Sequence, residues 1–240
     1  MKNVNFVVLA AGKGTRMQSS VPKVLHKLAG RSMLRHVIDA TRTVDESKKV
    51  IVTGHGAEQV EEKFKSADTA FVRQEDQLGT AHAVSMAIPE LCNDAIVIVL
   101  YGDVPLIRPV TLQRMLASVN EKSMGLLTIS LDDPDGYGRI VRSADGLIES
   151  IVEQKDATQD QCKICEINTG VMALTSSQLR SWLPQISNNN AQGEYYLTDI
   201  IAIARQSGIE VNSINPESVT EVEGVNSRLQ LSQLERAYQL

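Results

Sequence analysis

A basic excess is missing from this 240-residue chain: 24 Lys and Arg stand against 29 Asp and Glu, a formal net charge of −5. Wrapping a nucleic-acid backbone needs the opposite balance, so broad nucleic-acid binding is excluded. Long apolar runs are missing too. The longest, Phe6–Ala11 and Ala95–Tyr101, fall far short of the roughly 20 residues that cross a bilayer, and no membrane span is expected. Met1-Lys2-Asn3 leads straight into a strand-like segment, without the apolar stretch and small-residue cleavage site of a secretory signal, so the expected location is cytoplasmic. Cysteine is scarce and odd in number (Cys92, Cys162, Cys165), which gives no disulfide framework. Seven Pro and fifteen Gly are too few for a low-complexity chain, and 42% hydrophobic residues against 22% charged is ordinary globular usage. One large domain is the default at this length.

What is present is an alternation of short β-branched runs with helical segments, the rhythm of βαβ units and of an α/β fold with a mostly parallel sheet. Strands are expected at Asn5–Leu9, Lys49–Thr53, Thr69–Val72 and Ala95–Leu100, and helices at Ser32–Thr41, Ala57–Lys65 and Thr80–Ile88. Ile96-Val97-Ile98-Val99-Leu100 is apolar at every position, as a central strand covered on both faces should be. After residue 124 the rhythm changes. Gly125–Leu131, Arg139–Arg142, Leu147–Glu153 and Ile167–Leu174 are separated by turn chemistry such as Asp133-Pro134-Asp135-Gly136, which predicts a mixed sheet with an added β-ribbon in the second half. Ser187–Gly193 reads as a mobile loop or lid before a helix at Tyr195–Arg205, and Asn226–Gln239 as a terminal helix.

The strongest local signal is Leu9-Ala10-Ala11-Gly12-Lys13-Gly14-Thr15-Arg16-Met17, a glycine-rich turn directly after the first strand, followed by Pro22-Lys23. Glycines let backbone N–H groups approach phosphate oxygens, and Lys13, Arg16 and Lys23 add positive charge. A dinucleotide fingerprint would need glycine where Met17 stands, and a Walker A loop would need Ser or Thr where Gly14 follows Lys13. The plainer alternative is a flexible βα turn with incidental cations. Asp103, in Tyr101-Gly102-Asp103-Val104-Pro105, falls at the carboxyl end of the buried strand, where open α/β sheets bind ligands. A carboxylate there suits Mg²⁺, which takes one or two protein oxygens plus substrate phosphates, though a turn-forming Asp is an equal reading of the sequence alone. Gln74 could offer its amide to a base edge, and Gly79-Thr80 could present free N–H groups at a helix start. His82 and the Gly54-His55-Gly56 turn lack companions at metal-ligand spacing and are expected to pack or to make local hydrogen bonds. Cys162-Lys163-Ile164-Cys165 lacks a second ligand pair and reads as two free thiols.

Together with Gly136-Tyr137-Gly138-Arg139, Glu166-Ile167-Asn168-Thr169-Gly170, Gly193-Glu194-Tyr195-Tyr196-Leu197-Thr198-Asp199 and Val222-Glu223-Gly224-Val225-Asn226, these motifs resemble one family from residue 3 to the end. The chain is similar to the N-terminal uridylyltransferase domain of the bacterial bifunctional N-acetylglucosamine-1-phosphate uridylyltransferase/glucosamine-1-phosphate N-acetyltransferase family. The glycine turn and Pro-Lys are shared by many sugar-nucleotide pyrophosphorylases. The tyrosine pair and the Glu-Gly-Val-Asn segment are more specific. The resemblance implies a Rossmann-like nucleotidyltransferase domain over residues 1–227, with 228–240 starting a linker helix, that joins UTP and N-acetylglucosamine-1-phosphate into UDP-N-acetylglucosamine and pyrophosphate using Mg²⁺. It implies that Leu9, Ala10, Ala11, Gly12, Gln74, Gly79 and Thr80 surround the uridine and its phosphates, and that Arg16 and Lys23 neutralise the transferring phosphates. By the same resemblance, Tyr101 and Gly102 flank Asp103, which holds the metal with Asn226, and Gly138, Glu153, Asn168, Tyr195 and Thr198 bind the amino sugar. Complete family members continue into a left-handed β-helix that carries acetyl transfer and trimerises. No such repeat is present in these 240 residues, so either an isolated or truncated domain or a single-activity relative is expected, monomeric in itself. The alternatives are a nucleotidyltransferase for another base or sugar, and a non-catalytic UDP-sugar sensor.

Overall fold

The structure, a computed structural model, describes residues 3–44 and 46–239. Expectations that touch Met1, Lys2 and Leu240, the outer ends of the 1–227 and 228–240 segments, lie outside the described residues. In chain order the strands are β1 (Val4–Ala10), β2 (Lys27–Leu28), β3 (Arg31–Ser32), β4 (Lys48–Thr53), β5 (Thr69–Arg73), β6 (Ile96–Tyr101), β7 (Ser123–Ser130), β8 (Arg139–Arg142), β9 (Ile148–Val152), β10 (Glu166–Thr175) and β11 (Glu210–Ile214). The α-helices are α1 (Met33–Thr41), α2 (Ala57–Phe64), α3 (Thr80–Ala87), α4 (Pro109–Ala117), α5 (Ser176–Trp182), α6 (Ile200–Gln206) and α7 (Arg228–Gln239).

Alternate residues of a strand point to opposite faces, and in β1 both sets are apolar, so helices must cover both sides. Val7 and Leu9 pack with Val97 and Val99 of β6 under α3, α5 and α6. Phe6 and Val8 pack with Ile98 and Leu100 under α1, α2 and α4. Burying each such side chain contributes about 1.5–3 kcal/mol, which makes β1 and β6 the anchor of the molecule. One nine-stranded sheet runs in the order β11-β7-β10-β6-β1-β4-β5, with β8 branching from β10 and β9 pairing with β8. Along that path β10 alone runs antiparallel to its neighbours, and β8 and β9 form the expected ribbon, turned at Gly146 with φ +84°. The observed fold is therefore α/β, mixed and mostly parallel.

Five elements were not expected from the sequence: the two-residue strands β2 and β3, which pair with each other, and α4, α5 and β11. α5 opens on a reciprocal cap, in which Gln178 N–H donates to Thr175 Oγ1 (3.1 Å) and Thr175 N–H to Gln178 Oε1 (2.8 Å). The helix expected at Tyr195–Arg205 begins only at Ile200, after a 3₁₀ turn at Leu197–Asp199. The cause is that Tyr195 spends its backbone elsewhere: its N–H donates to Leu78 O (2.8 Å) and its carbonyl accepts from Ala81 N–H (2.9 Å). The 187–193 segment is irregular and cross-braced, with Ala191 N–H on Asp156 and Lys155 on Gln192. α7 docks through Leu234 onto Leu28, Met33 and Val225.

Candidate active site

The chain passes from β1 through α1, β4 and α2 to β5 on one side, then returns over the opposite face through α3 to β6 on the other side of β1. That reversal leaves a crevice at the carboxyl ends of β1 and β6, the place where open α/β sheets bind ligands. A cleft of about 320 Å³ occupies it, and its lining includes Leu9, Ala10, Ala11, Gly12, Gln74, Gly79, Thr80, Tyr101 and Asp103.

The glycine turn is fixed from behind. Met17 is 1% exposed and its N–H donates to Gly14 O (2.8 Å), so the position that a dinucleotide fingerprint reserves for glycine serves instead as an apolar anchor. Gly14 has φ +61°, and a Cβ there would lie 2.7 Å from Lys23 Cβ. Only glycine lets Lys23 cross so close to the turn. Lys23 then enters the cleft, whereas Lys13 and Arg16 sit exposed on the turn and outside its lining. The structure thus brings one of the three expected cations to the centre.

Lys23 Nζ donates to Asp103 and, at 3.2 Å, to Asn226 Oδ1. Asn226 comes from the far end of the chain because Val225 N–H donates to the Asp103 carbonyl (2.9 Å). Arg228 reinforces the junction by donating to Met17 O (3.0 Å) and Gln18 O (3.3 Å). Gln230 Oε1 accepts from Asn226 N–H at 2.8 Å. A carboxylate and a carboxamide oxygen therefore converge on one cationic centre, an all-oxygen donor pair suited to a hard cation. No group of three or more His, Cys, Asp or Glu that could hold a metal ion is found among the described residues.

The remaining expected residues form a second wall. Thr198 Oγ1 donates to Glu153 Oε1 (3.0 Å), Asn168 N–H donates to Gly138 O (2.8 Å), and a Cβ on Gly138 would lie 3.4 Å from Glu153 Oε1. Burial pushes the Glu153 carboxyl up; the Thr198 hydrogen bond opposes that, and Asp156 and Asp199 add to it. Tyr101 joins this wall to the cleft. Burial, then the charges of Asp103 and Glu153, drive its phenol well above the usual tyrosine range, so it stays a neutral donor. Gly170, with φ +88°, lies against the Tyr101 ring, 2.6 Å from the place a Cβ would occupy.

Tyr195 behaves differently from the expectation. Its backbone carbonyl abuts Gly79, and the residue lines a separate, mostly apolar cavity of about 400 Å³ with Ala81, His82, Arg180 and Leu183. Residues that sequence reasoning missed also line the cleft: Gln77, which donates to Ala11 O (2.8 Å), and Glu194. Glu194 lies inside a motif already singled out and Gln77 between the candidates Gln74 and Gly79, where side-chain direction has no sequence signal. His82 makes the expected local hydrogen bond, to Gln74. Cys162 and Cys165 are free thiols, as expected.

Residues 6–194 match the family described as the MobA-like NTP transferase domain. The chain is 52% identical over 236 residues to the bifunctional protein GlmU of Cellvibrio japonicus, covering 98% of this chain and 52% of that protein. It is 53% identical over 239 residues to the bifunctional protein GlmU of Marinobacter nauticus, covering 100% of this chain and 53% of that one. The chain thus spans about half the length of the curated relatives it matches. Among solved structures, a UDP-glucose pyrophosphorylase complexed with UDP-glucose superposes with a TM-score of 0.81 at 17% identity, covering 100% of this chain and 99% of that one. A putative glucose-1-phosphate thymidylyltransferase from Bacillus anthracis gives 0.75 at 19% identity over 98% and 94% of the two chains. These two likenesses concern the fold.

Proposed function

The chain belongs to the MobA-like NTP transferase family, and from that premise we propose that it joins UTP and N-acetylglucosamine-1-phosphate into UDP-N-acetylglucosamine and pyrophosphate. The observation that carries this reading is the junction of Lys23, Asp103 and Asn226 at the rim of the β1–β6 crevice. It pairs a phosphate-neutralising cation with an oxygen pair able to share a divalent ion. Identity above 50% with the bifunctional GlmU proteins favours this sugar and base.

A phosphate monoester has a second pKa near 6, so at neutral pH the sugar phosphate is already largely ionised and the attack needs no general base. Its oxygen forms the new bond to the α-phosphorus of UTP in line with the bond to the leaving pyrophosphate, which breaks. Direct displacement leaves no covalent intermediate on the protein. Rate then comes from alignment and charge stabilisation. Leu9 to Gly12, Gln74, Gly79 and Thr80 hold the uridine and its phosphates. Gly138, Glu153, Asn168 and Thr198 hold the amino sugar, with Tyr195 contributing through its backbone beside Gly79. Lys23, with Arg16 on the glycine turn, neutralises the transferring phosphates. Asp103 and Asn226 would hold Mg²⁺ beside Tyr101 and Gly102; the ion supplies charge neutralisation on the phosphates when bound.

On this reading residues 1–227 are the pyrophosphorylase domain and 228–240 begin the helix that leads out of it. The partners are the two substrates and two products, in the cytoplasm. No described helix is long and apolar enough to cross a membrane. Pyrophosphate release from UTP and N-acetylglucosamine-1-phosphate with Mg²⁺ tests the proposal. Turnover supports it; tight UDP-sugar binding without turnover, or a preference for another base or sugar in kcat/KM, overturns it.

A further inference from the structure

Gln74, at the end of β5, is 5% exposed and faces the cleft. Its amide nitrogen lies 3.1 Å from the Gly79 carbonyl and 3.1 Å from His82 Nδ1. A carbonyl oxygen can only accept, so the nitrogen end of the amide must face Gly79. That nitrogen carries two hydrogens and no available lone pair, so in the second contact it donates as well. His82 Nδ1 is therefore the acceptor, and the ring carries its proton on Nε2.

Both amide hydrogens are then engaged inside the protein. Gln74 can show the cleft only its oxygen, and no described residue donates to that oxygen. The arrangement is held rigidly. Gly79 has φ +121° and is wedged against the Tyr195 backbone, and His82 sits in the first turn of α3 directly after it.

We propose that His82 is a positioning residue that, beside the Gly79 carbonyl, engages the second Gln74 amide hydrogen so that only the amide oxygen meets the base, and thereby selects a base bearing a ring N–H, such as uracil, over one offering an acceptor there, such as cytosine. This deepens the uridylyltransferase reading and rests on it for the identity of the base. A lone acceptor, itself 5% exposed, matches the N3–H of uracil. Against cytosine it meets the lone pair of N3, and neither group finds a donor. Without His82 Nδ1, the Gly79 carbonyl alone holds the amide, and its second N–H is released to turn toward the cleft and meet an acceptor such as cytosine N3.

The test compares wild type, His82→Phe and His82→Asn with UTP and CTP, by calorimetric binding and by pyrophosphate release with N-acetylglucosamine-1-phosphate. Phenylalanine keeps the ring but has no acceptor, whereas an asparagine oxygen can take the place of Nδ1. His82→Phe should raise KM for UTP about tenfold with kcat within about threefold, and shrink the UTP:CTP discrimination about tenfold. His82→Asn should recover most of both. A folded His82→Phe that keeps the wild-type UTP:CTP ratio overturns the proposal, as does loss of kcat alone. Nitrogen NMR of the wild-type ring needs no variant: an Nδ1-protonated tautomer would also overturn it. Absence of turnover in wild type would sink the uridylyltransferase reading while leaving the tautomer and the UTP:CTP binding ratio to judge His82 separately.

Discussion

Asp103→Asn separates chemistry from scaffolding, because it removes one negative charge without changing the size of the side chain. The Asp103 and Lys23 side chains are 16% and 14% exposed, so the pair is mostly but not wholly withdrawn from water. Removing one partner of a fully buried pair costs about 3–5 kcal/mol, and an exposed pair contributes under about 1. At this intermediate depth, and with the amide still able to face Lys23, the expected loss is about 1–2 kcal/mol. For a chain of this size each kcal/mol moves Tm by about 2–4 °C, so Tm should fall by about 2–8 °C. The Val225 bond uses the Asp103 backbone carbonyl and should survive. Turnover is another matter. Losing one preorganised charge at a phosphoryl-transfer centre should lower kcat by about 10²–10³, some 2.7–4 kcal/mol of transition-state stabilisation. Pyrophosphate release across a magnesium titration, with calorimetry on the same preparation, reads both numbers. A folded variant with kcat within tenfold of wild type would refute the assignment of Asp103 to the chemistry. A fall in Tm beyond about 15 °C would mean that it serves the scaffold instead.

Gly79→Ala forces φ +121° on a residue with a side chain and sets its Cβ 2.5 Å from the Tyr195 carbonyl oxygen; urea unfolding should show a loss of about 2–3 kcal/mol. For Glu153, burial raises the folded-state pKa above 4.5, so the native protein holds this proton longer than the unfolded chain does. Its contribution to stability therefore falls as pH rises from the unfolded value through the raised folded one, and then levels off. Glu153→Gln should flatten that fall in urea midpoints taken from pH 4 to 8, and identical pH slopes for the two proteins would contradict the burial argument. Arg228→Ala removes two hydrogen bonds to the turn at Met17 and Gln18, worth about 1 kcal/mol each, and should raise KM for UTP several-fold with little change in kcat.

The parallel half of the fold was legible because each strand there is apolar on both faces, which leaves no alternative to burial under helices. Strand and helix ends at β1, β4, β6, α1 and α2 fall within a residue or two of the expectation. α5 carried a readable start signal in Thr175-Ser-Ser-Gln178, but β11, with polar Asn212 and Ser213 in its middle, has no pattern that separates it from a loop. Its pairing with β7 comes from tertiary contact. The helix misplaced at Tyr195 failed for the same reason: local propensity lost to backbone hydrogen bonds made across the molecule to Leu78 and Ala81. In the site, the phosphate turn and Asp103 could be read from position after a strand. The partnership of Asp103 with Asn226 came only from family resemblance, and that Lys23 rather than Arg16 enters the cleft depends on the φ of Gly14. No spacing rule encodes that angle.

The clasp of Val225, Asn226 and Arg228 onto Asp103 and the glycine turn has a consequence in time. Ribosomes add about 5–20 residues each second, so the crevice, which waits for Glu194 and Tyr195, has its last lining residue a few seconds before the last of its clasping residues is made. On the proposed function, a nascent chain during that interval lacks the second oxygen of its cation seat. On the same reading, competence waits for the tail to fold back across the β1–β6 rim.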